Sequence, residues 1–169
     1  MPVYSLGDAV PSIDPEAWLH PQAVVIGNVT IGPEASIWPC AVLRGDFGPI
    51  TIGARSSIQD GTVVHADTVV GSNCIVGHNA YIEGCTIEDE VLVGSEASVL
   101  PRAVVRRGAV IAAGAVVTRG SEVPAHALAR GVPARIEAGA IEAGRWLDGV
   151  QRYVDLAKRY RSESREVGG

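Results

Sequence analysis

The stretch Val91–Val123, VLVGSEASVLPRAVVRRGAVIAAGAVVTRGSEV, decides the fold. Every sixth residue is aliphatic: Val93, Val99, Val105, Ile111, Val117 and Val123. Two positions before each stands a second inward candidate, mostly small: Val91, Ala97, Ala103, Ala109, Ala115 and Ser121. An amphipathic helix needs a period near 3.6 and a flat strand a period of 2, so neither explains a period of six. A six-residue unit with one large and one smaller inward residue suits a short strand followed by a corner. Three units close one 18-residue coil, and successive coils pair as parallel strands about 4.8 Å apart.

The same register runs back toward the N-terminus. Ile87 precedes Val93, and one residue is dropped before it. The middle series is Ile52, Ile58, Val64, Val70, Val76 and Ile82, with Ser56, Thr62, Thr68, Cys74, Ala80 and Thr86 as its small partners. The first series is Leu19, Val25, Ile31, Ile37 and Leu43, with Ala23, Val29, Ala35 and Ala41. Leu43 and Ile52 are nine apart, three more than a repeat, which predicts a small loop at Phe47-Gly48-Pro49. Eighteen aliphatic positions make six coils, a prism on the order of 29 Å tall at that strand spacing. Gly recurs just after the aliphatic position (Gly32, Gly53, Gly71, Gly77, Gly94), and Gly and Asn are expected to supply the backbone angles of the corners.

The expected organisation is one domain over residues 1–169, with coils over about 19–123 and an amphipathic helix over about 139–161. Pro124 and Pro133 mark an irregular connection. Leu147, Val150, Val154 and Ala157 fall at helical spacing, and Trp146, Tyr153 and Tyr160 argue that this helix docks on the prism or on a neighbouring subunit. The composition agrees: 47% hydrophobic but only 5% aromatic, with one Phe. Such a core is filled by small and β-branched side chains.

Net charge is −5 with no basic patch, which argues against nucleic acid. No apolar run reaches a membrane span and the N-terminus lacks signal-peptide character, so a cytoplasmic protein is expected. Cys40, Cys74 and Cys85 are odd in number and form no CxxC, so reduced thiols are expected.

The 18-residue coil turns spacing into geometry. His65 and Glu83 are 18 apart and both follow an inward residue by one, so they stack outward on one face. Correcting for the three extra residues puts Arg44 below His65. A second column holds Asp60 and His78 on a different face. A threefold trimer that brings the two faces together places His78 of one subunit beside His65 and Glu83 of the next, with Arg44 opposite Asp60 one coil down. Two His and a carboxylate are an acceptable divalent-metal set.

The motifs Arg44-Gly45-Asp46, Gln59-Asp60-Gly61-Thr62-Val63-Val64-His65, Gly77-His78-Asn79-Ala80 and Gly84-Cys85-Thr86-Ile87 resemble the γ-class carbonic anhydrases of the hexapeptide-repeat superfamily. The resemblance spans nearly the whole chain, terminal helix included. It implies a mainly-β, left-handed parallel β-helix; the general rule for parallel crossovers would give the right hand. It implies a homotrimer with zinc between subunits, His65 and His78 as ligands, an Arg44–Asp60 pair across the seam, and Gln59 and Asp46 near the reacting water.

The family places a third His where this chain has Glu83. A His₂Glu set holds zinc with one position open, and two His with one carboxylate also hold iron(II). The chain also lacks an acidic residue in the Phe47-Gly48-Pro49 segment, where some relatives place a proton shuttle. Three functions stay open: a carbonic anhydrase-like lyase on CO2 and bicarbonate, with Gln59, Asp46 and Arg44 assisting a metal-activated water; a non-catalytic binding or assembly homologue with a degenerate metal site; and an acyltransferase or thioesterase sharing the fold.

Overall fold

The computed structural model describes residues 2–168. It is a left-handed parallel β-helix, three-faced, with one helix at its C-terminal end. The first face stacks Val3–Tyr4, Val24–Ile26, Val42–Arg44, Val63–His65, Tyr81–Glu83, Ser98–Val99 and Val116–Val117. The second stacks Ser12–Ile13 through Thr30–Ile31, Ile50–Ile52, Thr68–Val70, Thr86–Ile87 and Val104–Val105 to Glu122–Val123. The third runs from Trp18–Leu19 to Leu128–Ala129, with Arg135–Glu137 added antiparallel at its end.

Each face therefore carries seven rungs, and the coils extend beyond 19–123 at both ends. Val3 and Ile13 lie under the first predicted coil. Ala127 and Ala129, both fully buried, continue the inward pattern past Val123 with Ala in the large position. An aliphatic search misses that rung because its inward residue is small.

The predicted large residues are the core: Val25, Ile37, Leu43, Ile58, Val64, Ile82 and Val105 are all fully buried. At the dropped residue the small inward position is Cys85, 2% exposed, whereas Thr86 points to solvent. The deletion shortens the corner, so the residue two before Ile87 turns inward as in every other unit. Burial pushes the Cys74 and Cys85 thiols up to about 12, which makes them inert packing groups. All three cysteines are free.

Gly and Asn supply the corner angle at Gly61, Asn73, Asn79, Gly84, Gly108, Gly114 and Gly120, as expected, but other residue types supply it too. The left-handed backbone angle falls three residues before most of the large inward residues, as at Glu34, Arg55, Asn73, Glu96 and Arg102, with φ of 54–65°. Several of these are neither Gly nor Asn, and each carries a cost of roughly 1–2 kcal/mol that core burial offsets. The Gly after the aliphatic residue serves closeness instead. At Gly77 a Cβ would lie 2.7 Å from the Ser95 backbone N and 2.9 Å from the Gly94 carbonyl carbon, both in the next coil.

The three extra residues do not form a separate loop. Val42–Ile52 is one continuous strand that crosses from the first face to the second. Its register against the coil below jumps from Gly27–Gly45 to Val29–Ile50, which absorbs the insertion as a bulge.

The helix, α1, spans Leu147–Glu163, starting eight residues later than the sequence pattern suggests. It lies on the third face of its own prism. Val150, Val154 and Ala157 are buried, while Leu147, the first of the predicted stripe, is 41% exposed. Trp18, Trp38, Tyr153 and Tyr160 meet edge to face with centroids 4.8–5.8 Å apart. The Trp38 indole N–H is shared by Ser36 Oγ (3.0 Å) and Ser57 Oγ (2.9 Å). Lys158 to Glu34 and Arg55 to Gln151 tie the rim. Among the described residues no helix is long and apolar enough to cross a membrane.

Two substitutions separate the corner from the close approach. Gly77→Ala should cost about 2–4 kcal/mol, since only backbone could yield, whereas Glu96→Gly should match or exceed the parent within about 1 kcal/mol. Urea unfolding measures both. Trp38→Ala should cost about 3–5 kcal/mol in the same assay.

Candidate functional site

Strand pairing places Arg44 opposite His65 and His65 opposite Glu83, so the predicted column is present. His65 ends its strand and is 9% exposed. Its carbonyl is held by the Thr68 hydroxyl, which donates at 2.6 Å from the inward position of the next unit. Both ring nitrogens face carboxylates. Nδ1 lies 2.9 Å from Glu83 Oε1, and Nε2 lies 3.0 Å from Asp46 Oδ1. A neutral imidazole has one N–H, so only one of these contacts is a donated hydrogen bond unless the ring is protonated.

The carboxylates are held in turn. Arg44 pairs with Asp46, which brings its guanidinium to the site from the coil below. The Tyr81 hydroxyl donates to Glu83 Oε2 at 2.6 Å. That hydrogen bond, then the one from His65, keeps the Glu83 carboxyl below its ordinary value. The same contact with Glu83 pushes the Tyr81 phenol up. Desolvation pulls Asp46 upward, but the Arg44 hydrogen bond and the contact with His65 outweigh it and hold the carboxyl low. Phe47, at the bulge, is 80% exposed and sets its edge toward the His65 ring at a centroid distance of 5.8 Å.

Asp60 and His78 form the second column. His78 Nδ1 lies 2.8 Å from Asp60 Oδ2, and both side chains are about half exposed. They sit where the third face turns into the first, at the opposite edge of that face from His65 and Glu83. Asp60 and Arg44 thus have partners inside the chain, His78 and Asp46 respectively. Among the described residues no three His, Cys, Asp or Glu side chains gather to hold a metal ion within one chain. The donors split into a pair, His65 and Glu83, and a half-exposed singleton, His78.

Gln59 stays apart from His65. It lies beside the His78 corner on the third face, 4% exposed, and borders a groove of about 520 Å³ between that face and α1. The sequence reading passed over Tyr81. Its signal was available, because Tyr81 and Glu83 are two apart on one strand and so share an outward face. The groove was not readable, since its far wall belongs to a helix whose docking face depends on packing.

Known proteins place this architecture. The model for the bacterial transferase hexapeptide (six repeats) matches residues 11–45 and 49–84, and that for the hexapeptide repeat of succinyl-transferase matches 84–119. The gap between the first two spans falls on the bulge. The carnitine operon protein CaiE of Proteus sp. (strain LE138) is 43% identical over 68 residues, which cover 40% of this chain and 34% of CaiE. The match therefore spans about a third of that relative. The BC4754 product of Bacillus cereus, named as a candidate acetyltransferase, superposes with a TM-score of 0.89 at 30% identity, covering 95% of this chain and 96% of that one. A hexapeptide transferase family protein from Anaplasma phagocytophilum superposes with a TM-score of 0.90 at 34% identity, covering 94% of this chain and 98% of its own. With repeat, prism and terminal helix shared along nearly its whole length, the chain belongs to the hexapeptide transferase family.

Proposed function

We propose that this protein is a γ-class carbonic anhydrase-like homotrimer that binds a divalent metal at each subunit seam and acts on CO2 and bicarbonate. His65 and Glu83 of one subunit and His78 of the next are the metal ligands in this reading. The observation that carries it is the His65–Glu83 pair, in register and 2.9 Å apart, with Asp46 on the other ring nitrogen.

The donors fit the group. Imidazole nitrogen and carboxylate oxygen suit zinc, and the same set suits iron(II). Metal-ligating His residues commonly donate their other N–H to a carboxylate, which fixes tautomer and ring orientation. Asp46 at Nε2 is available for that role, which would free Nδ1 for the metal in place of its present contact with Glu83. Arg44 balances the charge of Asp46, and Tyr81 orients Glu83. Gln59 and Asp46 are the candidates for orienting substrate and water. Arg44 and Asp60 are candidates for joining subunits across the seam, exchanging their present partners. When bound, zinc supplies the Lewis acidity that makes water nucleophilic near neutral pH.

An anionic ligand in place of a neutral one lowers the charge of the centre and weakens that acidity. Hydration by this chain is therefore expected to be slow and to rise in Glu83→His. A second reading, acyl transfer, draws on the candidate acetyltransferase of Bacillus cereus. Against it, the largest departure inside the coils is a three-residue bulge rather than a long catalytic loop. A trimer that binds no metal would leave the non-catalytic account.

Light scattering should give about 53 kDa, three times the 17.6 kDa chain. Elemental analysis should find about one zinc or iron per subunit, and Glu83→Gln should weaken metal affinity by roughly tenfold or more. Stopped-flow CO2 hydration should be faster in Glu83→His than in the parent. A monomer, or a metal-free trimer that turns over acetyl-CoA, would sink the reading.

A further inference from the structure

The groove between the third face and α1 shares His78 and Gln59 with the proposal above, but its apolar trough and Arg152 are not used there. Its walls are apolar: Ile75 and Leu92 from the coils, Trp146 and Leu156 from the helix side. At about 520 Å³ it is in the range of small-molecule sites. Polar groups break the apolar lining at Gln59, His78, Ser95, Arg152 and Tyr153.

The Trp146 indole N–H, in the groove lining, is buried and has no hydrogen-bond partner among the described residues. A buried donor without a partner costs about 1–3 kcal/mol, so a chain that keeps one beside a cavity leaves a donor for an occupant, and the Gln59 side chain borders the same space. Arg152, on α1, borders the same space. Its Nε donates to the Asp148 carbonyl at 3.3 Å, and it forms no ion pair among the described residues. Among the described residues no carboxylate lines the groove. His78 stands at the rim. The combination is an apolar trough, an unpaired guanidinium and an unpartnered indole N–H.

We propose that this groove is a binding site for an amphipathic organic carboxylate, with an acyl body of medium length along the trough and its carboxylate at Arg152. The Trp146 indole N–H and the Gln59 carboxamide meet the polar end, and Leu92 and Leu156 cover the chain. A guanidinium recognises a carboxylate through paired N–H donors, and the absence of acidic lining selects against cations. The inference stands on the trough and Arg152, which the metal reading does not use, and holds whether or not a metal binds at His65, so the two proposals fail separately.

The test is titration calorimetry of the full chain, as purified, with octanoate and with octanamide as its neutral twin. Octanoate should bind saturably at one per chain, more tightly than octanamide. Arg152→Gln should weaken octanoate about tenfold or more and change octanamide less than twofold. Leu92→Trp, which fills the trough from an outward position, should abolish both. Absence of saturable octanoate binding overturns the proposal. So does equal affinity for the two probes, or octanoate binding that survives both substitutions, as simple coordination to a metal would.

Discussion

Parallel pairing between coils, one strand spacing apart and in an 18-residue register, is the constraint on which everything else in this molecule depends. It sets two inward residues, one large and one small, per face per coil, a left-handed backbone angle three positions before most of the large ones, and no room for a Cβ at close approaches such as Gly77. Glu96 and Gly77 show the two halves of that demand: a charged residue held at φ 61°, and a glycine pressed against the next coil. The side chains that point outward inherit the same spacing. His65 and Glu83 meet because they are stacked in register, and Asp60 and His78 meet for the same reason.

This explains what was legible in the sequence. Period and burial share one cause, so the large inward residues and the Arg44–His65–Glu83 column could be read from numbering alone. The ends of the tract could not. At Ala129 the large position is held by a small residue, and Val3 and Ile13 lie on the coil that precedes the first clear repeat. Thr86 was expected inside and Cys85 is found there, because a deletion moves the corner rather than the strand. The partners of Arg44 were also hidden. Its reach to Asp46 depends on the bulge that turns Asp46 back toward His65, and spacing says nothing of that turn.

The candidate centre is a chain of contacts from Tyr81 through Glu83, His65 and Asp46 to Arg44. Two carboxylates flank one imidazole, with an arginine and a tyrosine behind them. In the proposed trimer this arrangement presents His65 and Glu83 at one edge of each subunit and His78 at another. The groove under α1 opens beside the His78 corner, so a polar seam and an apolar trough meet near Gln59. The helix that closes the trough is anchored on the lower coils by the Trp18–Trp38–Tyr153–Tyr160 cluster.

The central claim is that one site is built from two subunits, and mixed trimers test it most directly. Chains carrying His65→Ala and chains carrying His78→Ala are co-expressed with different tags, and trimers holding both are isolated for metal analysis. In a closed ring of three, any mixture of the two chains leaves one seam with both histidines intact. The account expects about one third of an equivalent of metal per subunit in the mixed trimers and essentially none in either parent homotrimer. Full metal content in a homotrimer, or none in the mixed species, would contradict it.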